Sequence, residues 1–168
     1  MHTFLHNAGS TPVGVKALQQ QIDKGAIAFY DLSRGGLHIL DEILVGGPRG
    51  AEYLFALSLA KGMRVFVKSA LYRGIEIEEF HHQNIFQNNR DLIAAGTIHA
   101  YARQLIFTNM SGHYRPAVSC LAHVEAYLEK LGVPKKKCRV VEYTKLDALL
   151  QPPSQRFKRM FGQCFGSP

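Results

Sequence analysis

Residues 52–68 read Glu52-Tyr53-Leu54-Phe55-Ala56-Leu57-Ser58-Leu59, then Ala60-Lys61-Gly62, then Met63-Arg64-Val65-Phe66-Val67-Lys68. Tyr53, Phe55, Leu57 and Leu59 alternate along the first arm, and Met63, Val65 and Val67 along the second. A period of two sends successive side chains to opposite faces, so each arm is a strand and the short polar break between them is a turn. The expectation is a β-hairpin with one buried face.

Downstream, a second pair runs from Gly96 to Tyr101 and from Gln104 to Thr108, joined by Ala102-Arg103, with Ile98 facing opposite to Thr97, His99 and Tyr101. A long polar connection separates the two pairs and carries Glu76, Glu78, Glu79, His81, His82 and Arg90. After Pro116 the spacing of Val118, Leu121, Ala122, Val124, Leu128 and Leu131 predicts an amphipathic helix over 116–131 that Gly132 ends. Lys137 to Thr144 reads as a last strand and Leu146 to Leu150 as a short helical turn before Pro152-Pro153. Upstream, Pro12 opens an expected helix over 12–24, Ala26 to Leu32 reads as a strand, and Ser33-Arg34-Gly35-Gly36 as a turn. Leu37 to Val45 is apolar and fits either a helix or a strand.

These elements predict a single α+β domain over 12–150, a mainly antiparallel sheet with flanking helices. Residues 1–11 read as a polar lead-in and 151–168 as a basic C-terminal tail. At 168 residues and 46% hydrophobic content the chain suits one folded domain. No run of apolar residues is long enough for a membrane span, and Met1-His2-Thr3-Phe4-Leu5-His6 lacks the pattern of a cleaved signal. A cytoplasmic location in the producing cell is therefore expected. Cys120, Cys138 and Cys164 are few and far apart, which argues against a disulfide framework.

The net charge of +7 is uneven. Lys135, Lys136, Lys137, Arg139, Lys145, Arg156, Lys158 and Arg159 face only Glu142 and Asp147, which leaves a local +6. Such an end suits nucleic acid, anionic lipid or an acidic protein partner; the simpler alternative is a solvated tail. Phe157, Phe161 and Phe165 in that tail are apolar enough to be covered by a partner.

Ser111-Gly112-His113-Tyr114-Arg115-Pro116 concentrates a hydroxyl, an imidazole, a phenol and a guanidinium at an expected strand-to-helix corner. Backbone N–H groups at a helix start, with the fork of Arg115, suit phosphate or carboxylate, so Ser111, Gly112, Tyr114 and Arg115 are candidate anion and ligand contacts. An unperturbed imidazole has its pKa near neutrality, so His113 is the candidate general acid or base, paired with His82 or Glu79 from the polar connection. The competing reading is structural: Ser111 caps the helix, Tyr114 fills the core and His113 bonds a carbonyl. No carboxylate or cysteine stands at a strong metal-ligand spacing beside these histidines, which disfavours zinc. The glycines at 46, 47 and 50 lack the Lys-Ser/Thr of a phosphate loop, and the sequence identifies no cofactor.

Phe80-His81-His82, Ala94-Ala95-Gly96-Thr97-Ile98 and Asn109-Met110-Ser111-Gly112-His113-Tyr114-Arg115-Pro116 follow one another in an order that resembles a known domain. It is similar to the C-terminal domain of plant IQ-motif calmodulin-binding proteins and to related domains of bacterial effectors and polymorphic toxins, over about residues 52–131. His82, Gly96, Ser111, Gly112, His113, Tyr114 and Pro116 occupy motif positions. Where that family has His-Ser-Ser-Phe this chain has His82-Gln83-Asn84-Ile85, its Ala-Gly-Gly is replaced by Gln87-Asn88-Asn89, and no calmodulin-binding IQ motif is present. The resemblance implies a secreted effector or toxin-type domain. Such a domain is delivered into a host or rival cell without a cleaved signal and is escorted by an immunity or chaperone protein. The local chemistry of His82, His113 and Arg115, rather than the resemblance, suggests a transferase or hydrolase that uses histidine acid–base chemistry on a nucleotide-containing or phosphorylated substrate. The alternative is a non-catalytic module that binds protein or nucleic acid.

Overall fold

A computed structural model describes residues 4–5, 20, 27–46, 53–68, 85–86, 91–111 and 114–150. Of the expected helix over 12–24 only Gln20 falls among these, and the basic tail over 151–168 lies outside them.

Strand β1 (Ile27–Asp31) ends where the Asp31 carboxylate accepts a hydrogen bond from Ser33 N (3.0 Å). That bond draws the chain into a 3-10 turn, Leu32–Arg34, and then into helix α1 (Gly36–Gly46). The apolar segment that fits either a helix or a strand by sequence is thus a helix. Leu40 and Ile43 are buried, Ile39 and Leu44 pack beside them, and Leu37 and Val45 are left exposed.

β2 (Tyr53–Ser58) and β3 (Gly62–Lys68) form the expected hairpin, with Tyr53 opposite Val67, Phe55 opposite Val65 and Leu57 opposite Met63. β4 (Leu92–Tyr101) and β5 (Gln104–Phe107) form the second, through Ala102 and Arg103 at φ 48° and 62°. Two positive φ values match the twist of a two-residue hairpin loop. β4 begins earlier than the alternation suggests because it also pairs with β2, where the register shifts at Leu57/Ser58. The shift leaves Ile93 and Ala94 in the same core cluster while Leu92 and Ala95 join the other. Ser58 Oγ donates to Asp91 Oδ2 (2.7 Å) across this seam, and Ala60 N donates to the same oxygen (3.0 Å).

The sheet has six strands in the order β1-β3-β2-β4-β5-β6, antiparallel except where β6 (Cys138–Val140) runs parallel to β5. A parallel neighbour needs a crossover, which helix α2 (Leu121–Lys130) provides. A 3-10 turn, Val118–Cys120, precedes α2, so the helix proper starts later than the expected 116. Leu121, Val124 and Leu128 are buried as the spacing implies, whereas Val118 is exposed. Gly132 adopts φ +73° and ends the helix, with Gly132 N bonded to Glu129 O and Val133 N to Leu128 O. β6 covers only part of the strand expected over 137–144; a 3-10 turn, Tyr143–Lys145, and helix α3 (Leu146–Leu150) follow it.

One core cluster lies between the sheet and the helices: Phe55, Leu57, Val65, Ile98, Leu105 and Phe107 meet Leu40, Ile43, Leu121, Val124 and Leu128. Phe55 and Phe107 pack edge to face at 5.4 Å. The expectation of one buried face fails on the opposite side. There Ala56, Phe66, Leu92 and Ala95 are buried with Ile85, Phe86 and Tyr114, and Leu5 packs on them with its N–H bonded to Leu92 O (2.8 Å). Leu54, Ala56 and Phe66 make the second face apolar too, and a strand covered on both faces reads as a nearly continuous apolar run.

Candidate functional site

β4 and β5 lie in register such that Thr97 stands opposite Thr108, whose N–H donates to Thr97 O (2.9 Å). The two backbones close so tightly that a Cβ on Gly96 would stand 1.7 Å from Thr108 O. Only glycine fits there. Thr97 and Thr108 are both fully buried, and their hydroxyls bond each other at 2.7 Å. Thr97 Oγ1 also lies 2.9 Å from His99 Nε2, and Met110 N donates to Thr108 Oγ1 (3.3 Å). Threonine hydroxyls each carry one proton. Two proton orders satisfy every contact: Thr108 to Thr97 to Nε2 with the ring proton on Nδ1, or Nε2–H to Thr97 to Thr108, with Met110 N–H donating to Thr108 in both. The result is a polarised chain that orients a histidine.

The Ser111–Pro116 corner follows directly. Ser111 is buried; its carbonyl accepts from Arg115 N (2.9 Å) and its Oγ from Tyr114 N (3.4 Å). Ser111 therefore caps this local turn, whereas the first helical residues after it are Val118–Cys120, so the expected capping of α2 by Ser111 does not occur. Arg115 is exposed and held at φ +41° immediately before Pro116, a strained posture for a non-glycine residue. Asn109 clamps the corner from below: Nδ2 donates to Pro116 O (3.1 Å), while Oδ1 accepts from Tyr143 N (2.9 Å).

Of the residues singled out from sequence, Ser111, Tyr114 and Arg115 are described and share this corner. Glu79, His82, Gly112 and His113 lie outside the described residues. Tyr114 packs in the second core cluster and burial raises its phenol above the ordinary value, which keeps it protonated and apolar in character. This is the core-filling role that the sequence leaves open beside ligand contact. Cys120, just past the corner, has its thiol pushed up to about 11 by burial, against a hydrogen bond from the Ala95 backbone, and is inert as a thiolate at neutral pH. Among the described residues no group of three His, Cys, Asp or Glu side chains converges on a metal position.

Sequence reasoning missed Thr108, Asn109 and the pairing of His99 with Thr97. A signal existed: Thr97 and His99 share one face by alternation, and a polar pair on a strand among Ala94, Ala95 and Ile98 marks a break in an apolar surface. Comparison with protein-family models, with curated proteins and with solved structures finds no match to this chain.

Proposed function

We propose that this chain is an effector or toxin-type enzyme whose site is built on the Ser111–Pro116 corner and the Thr108–Thr97–His99 chain beneath it. In this reading His113 and His82 exchange protons with a nucleotide-containing or phosphorylated substrate, and Arg115, exposed on the corner, holds its anion. The observation that carries the reading is the buried hydroxyl chain. Two threonines in a sheet interior are replaceable by valine at little cost in shape, yet here both hydroxyls are spent on orienting a histidine. Burial of Tyr114 and the Asn109 clamp favour a second reading, a rigid corner in a non-catalytic binding module.

Growth of cells that express the full chain from an inducible promoter separates the two. For the enzyme, wild-type chain arrests growth, and His113→Ala, His82→Ala or His99→Ala each restores it while the purified variant keeps its melting temperature. Restoration that comes only with a lowered melting temperature assigns the corner to structure. Growth unaffected by wild-type chain in both bacterial and yeast cytosol sinks the effector reading.

A further inference from the structure

On the opposite face of the sheet from Tyr114, a groove of about 580 Å³ opens between the β2–β3 turn and α2. Its floor is apolar, formed by Leu57 and Ile93 from the first core cluster, with Leu131 and the ring of Tyr127 along the helix side. The ionisable groups on its rim, besides the Tyr127 phenol, are Lys61, His123 and Lys130, all basic. Among the described residues neither lysine takes part in a salt bridge. Asp91, whose carboxylate Lys61 helps to keep charged, does not itself line the groove: its Oδ2 accepts from Ser58 Oγ and Ala60 N. Ser58 Oγ in turn accepts from Lys61 N (3.0 Å), which fixes the turn that carries one lysine opposite the helix that carries the other. Gly62 leaves the Tyr127 hydroxyl room at the groove: a Cβ at residue 62 would come within 2.5 Å of it.

Two cations facing each other across a concave, low-dielectric wall focus a positive potential into the space between them. The volume is that of a small-molecule site, and an apolar floor with a few convergent polar groups is the usual composition of one. We infer that this groove binds a small organic phosphate: Lys61 and Lys130 hold the phosphoryl oxygens, and a flat or apolar moiety lies on Leu57, Ile93 and Tyr127. This site is separate from the Ser111–Pro116 corner and does not rest on the reading of that corner.

The test is calorimetric titration of the full chain at low salt with adenosine monophosphate, inorganic phosphate and adenosine as probes. The nucleotide is expected to bind at least about tenfold more tightly than either fragment, because each fragment meets only half the groove. Lys61→Gln combined with Lys130→Gln should weaken it by about tenfold or more at unchanged melting temperature, both side chains being exposed. Arg103→Gln, at an exposed base on the β4–β5 turn that does not line the groove, should leave it unchanged. No heat with the nucleotide up to about 5 mM overturns the inference, as does equal affinity of wild type and the double lysine variant. Binding that is lost in Arg115→Gln but kept in the double lysine variant places the anion at the corner and refutes the groove without touching the enzymatic reading.

Discussion

Gly96→Ala tests the tightest glycine position among the described residues. The new Cβ would stand 1.7 Å from Thr108 O, 2.8 Å from Thr108 C and 3.0 Å from Phe55 Cε1. A carbon–oxygen contact of about 3.3 Å requires β4 and β5 to part by about 1.6 Å at this point. Such a displacement breaks the Thr108 N to Thr97 O bond at 2.9 Å and the 2.7 Å bond between the two threonine hydroxyls. Two lost hydrogen bonds cost about 0.5–1.5 kcal/mol each, and the overpacking strain adds about 1–3 kcal/mol. The total, about 2–6 kcal/mol, is a large part of the roughly 5–15 kcal/mol that holds a domain folded. At about 2–4 °C per kcal/mol for a chain of this size, the melting temperature should fall by about 4–24 °C. Urea unfolding followed by circular dichroism measures the loss, with Gly132→Ala as control. At residue 132 nothing lies within 4 Å of the place a Cβ would take, so only the φ of +73° resists alanine, at about 1–2 kcal/mol. If Gly96→Ala costs no more than Gly132→Ala, the chain after β5 does not cross over Gly96 and the hydroxyl chain from Thr108 to His99 is not formed as described.

Thr97→Val and Thr108→Val should each destabilise by about 1–3 kcal/mol, since each removes one partner of a buried hydroxyl pair. The double variant removes both partners and should cost less than the sum; strictly additive urea midpoints would show that the hydroxyls do not bond each other. Burial alone would raise the Asp91 carboxyl, but hydrogen bonds from Ser58 and Ala60, with Lys61 nearby, outweigh it and hold the group below its ordinary value. A depressed folded value means that Asp91 contributes stability above its unfolded value of about 3.9 and loses it as pH falls through the lower folded value. The stability gap between wild type and Asp91→Asn should therefore narrow below about pH 4, and a gap constant down to about pH 2 would mean that the carboxylate is not held at the seam.

Both hairpins are legible in the sequence because their apolar residues alternate, and the cross-strand pairs Phe55–Val65 and Leu57–Met63 come from the two alternating sets. The residues between them, Leu54, Ala56 and Phe66, are themselves apolar, and reading only the alternating sets misses the covering of the second face. α1 is ambiguous because Ile39, Leu40, Ile43, Leu44 and Val45 satisfy a helical stripe and a buried strand alike; what selects the helix is burial of Leu40 and Ile43 at one-turn spacing. β6 is shorter than its sequence suggests because β5 offers partners only from Leu105 to Phe107. At the site, the two-residue turn at Ala102-Arg103 sets the register, and counting outward from Tyr101 opposite Gln104 brings Thr97 opposite Thr108. That pairing is within reach of sequence. The strain at Arg115 and the long reach of Asn109 to Tyr143 are not, since both depend on how the chain packs after the strand ends.

The seam between β2 and β4 bears on how such a domain changes over evolution. Ser58 and Asp91 are 33 positions apart, yet their bond and the register shift beside it fix how the two hairpins meet. Each hairpin closes on its own short turn, so the sheet does not depend on the length of chain strung between them. Doubling that length costs only about 0.6 kcal/mol of closure entropy. Apart from Ile85 and Phe86, which are buried in the second core cluster, the connection between the hairpins can therefore be lengthened or shortened while Thr97, Thr108 and His99 stay where they are. Selection can vary the length of that segment without renegotiating the fold.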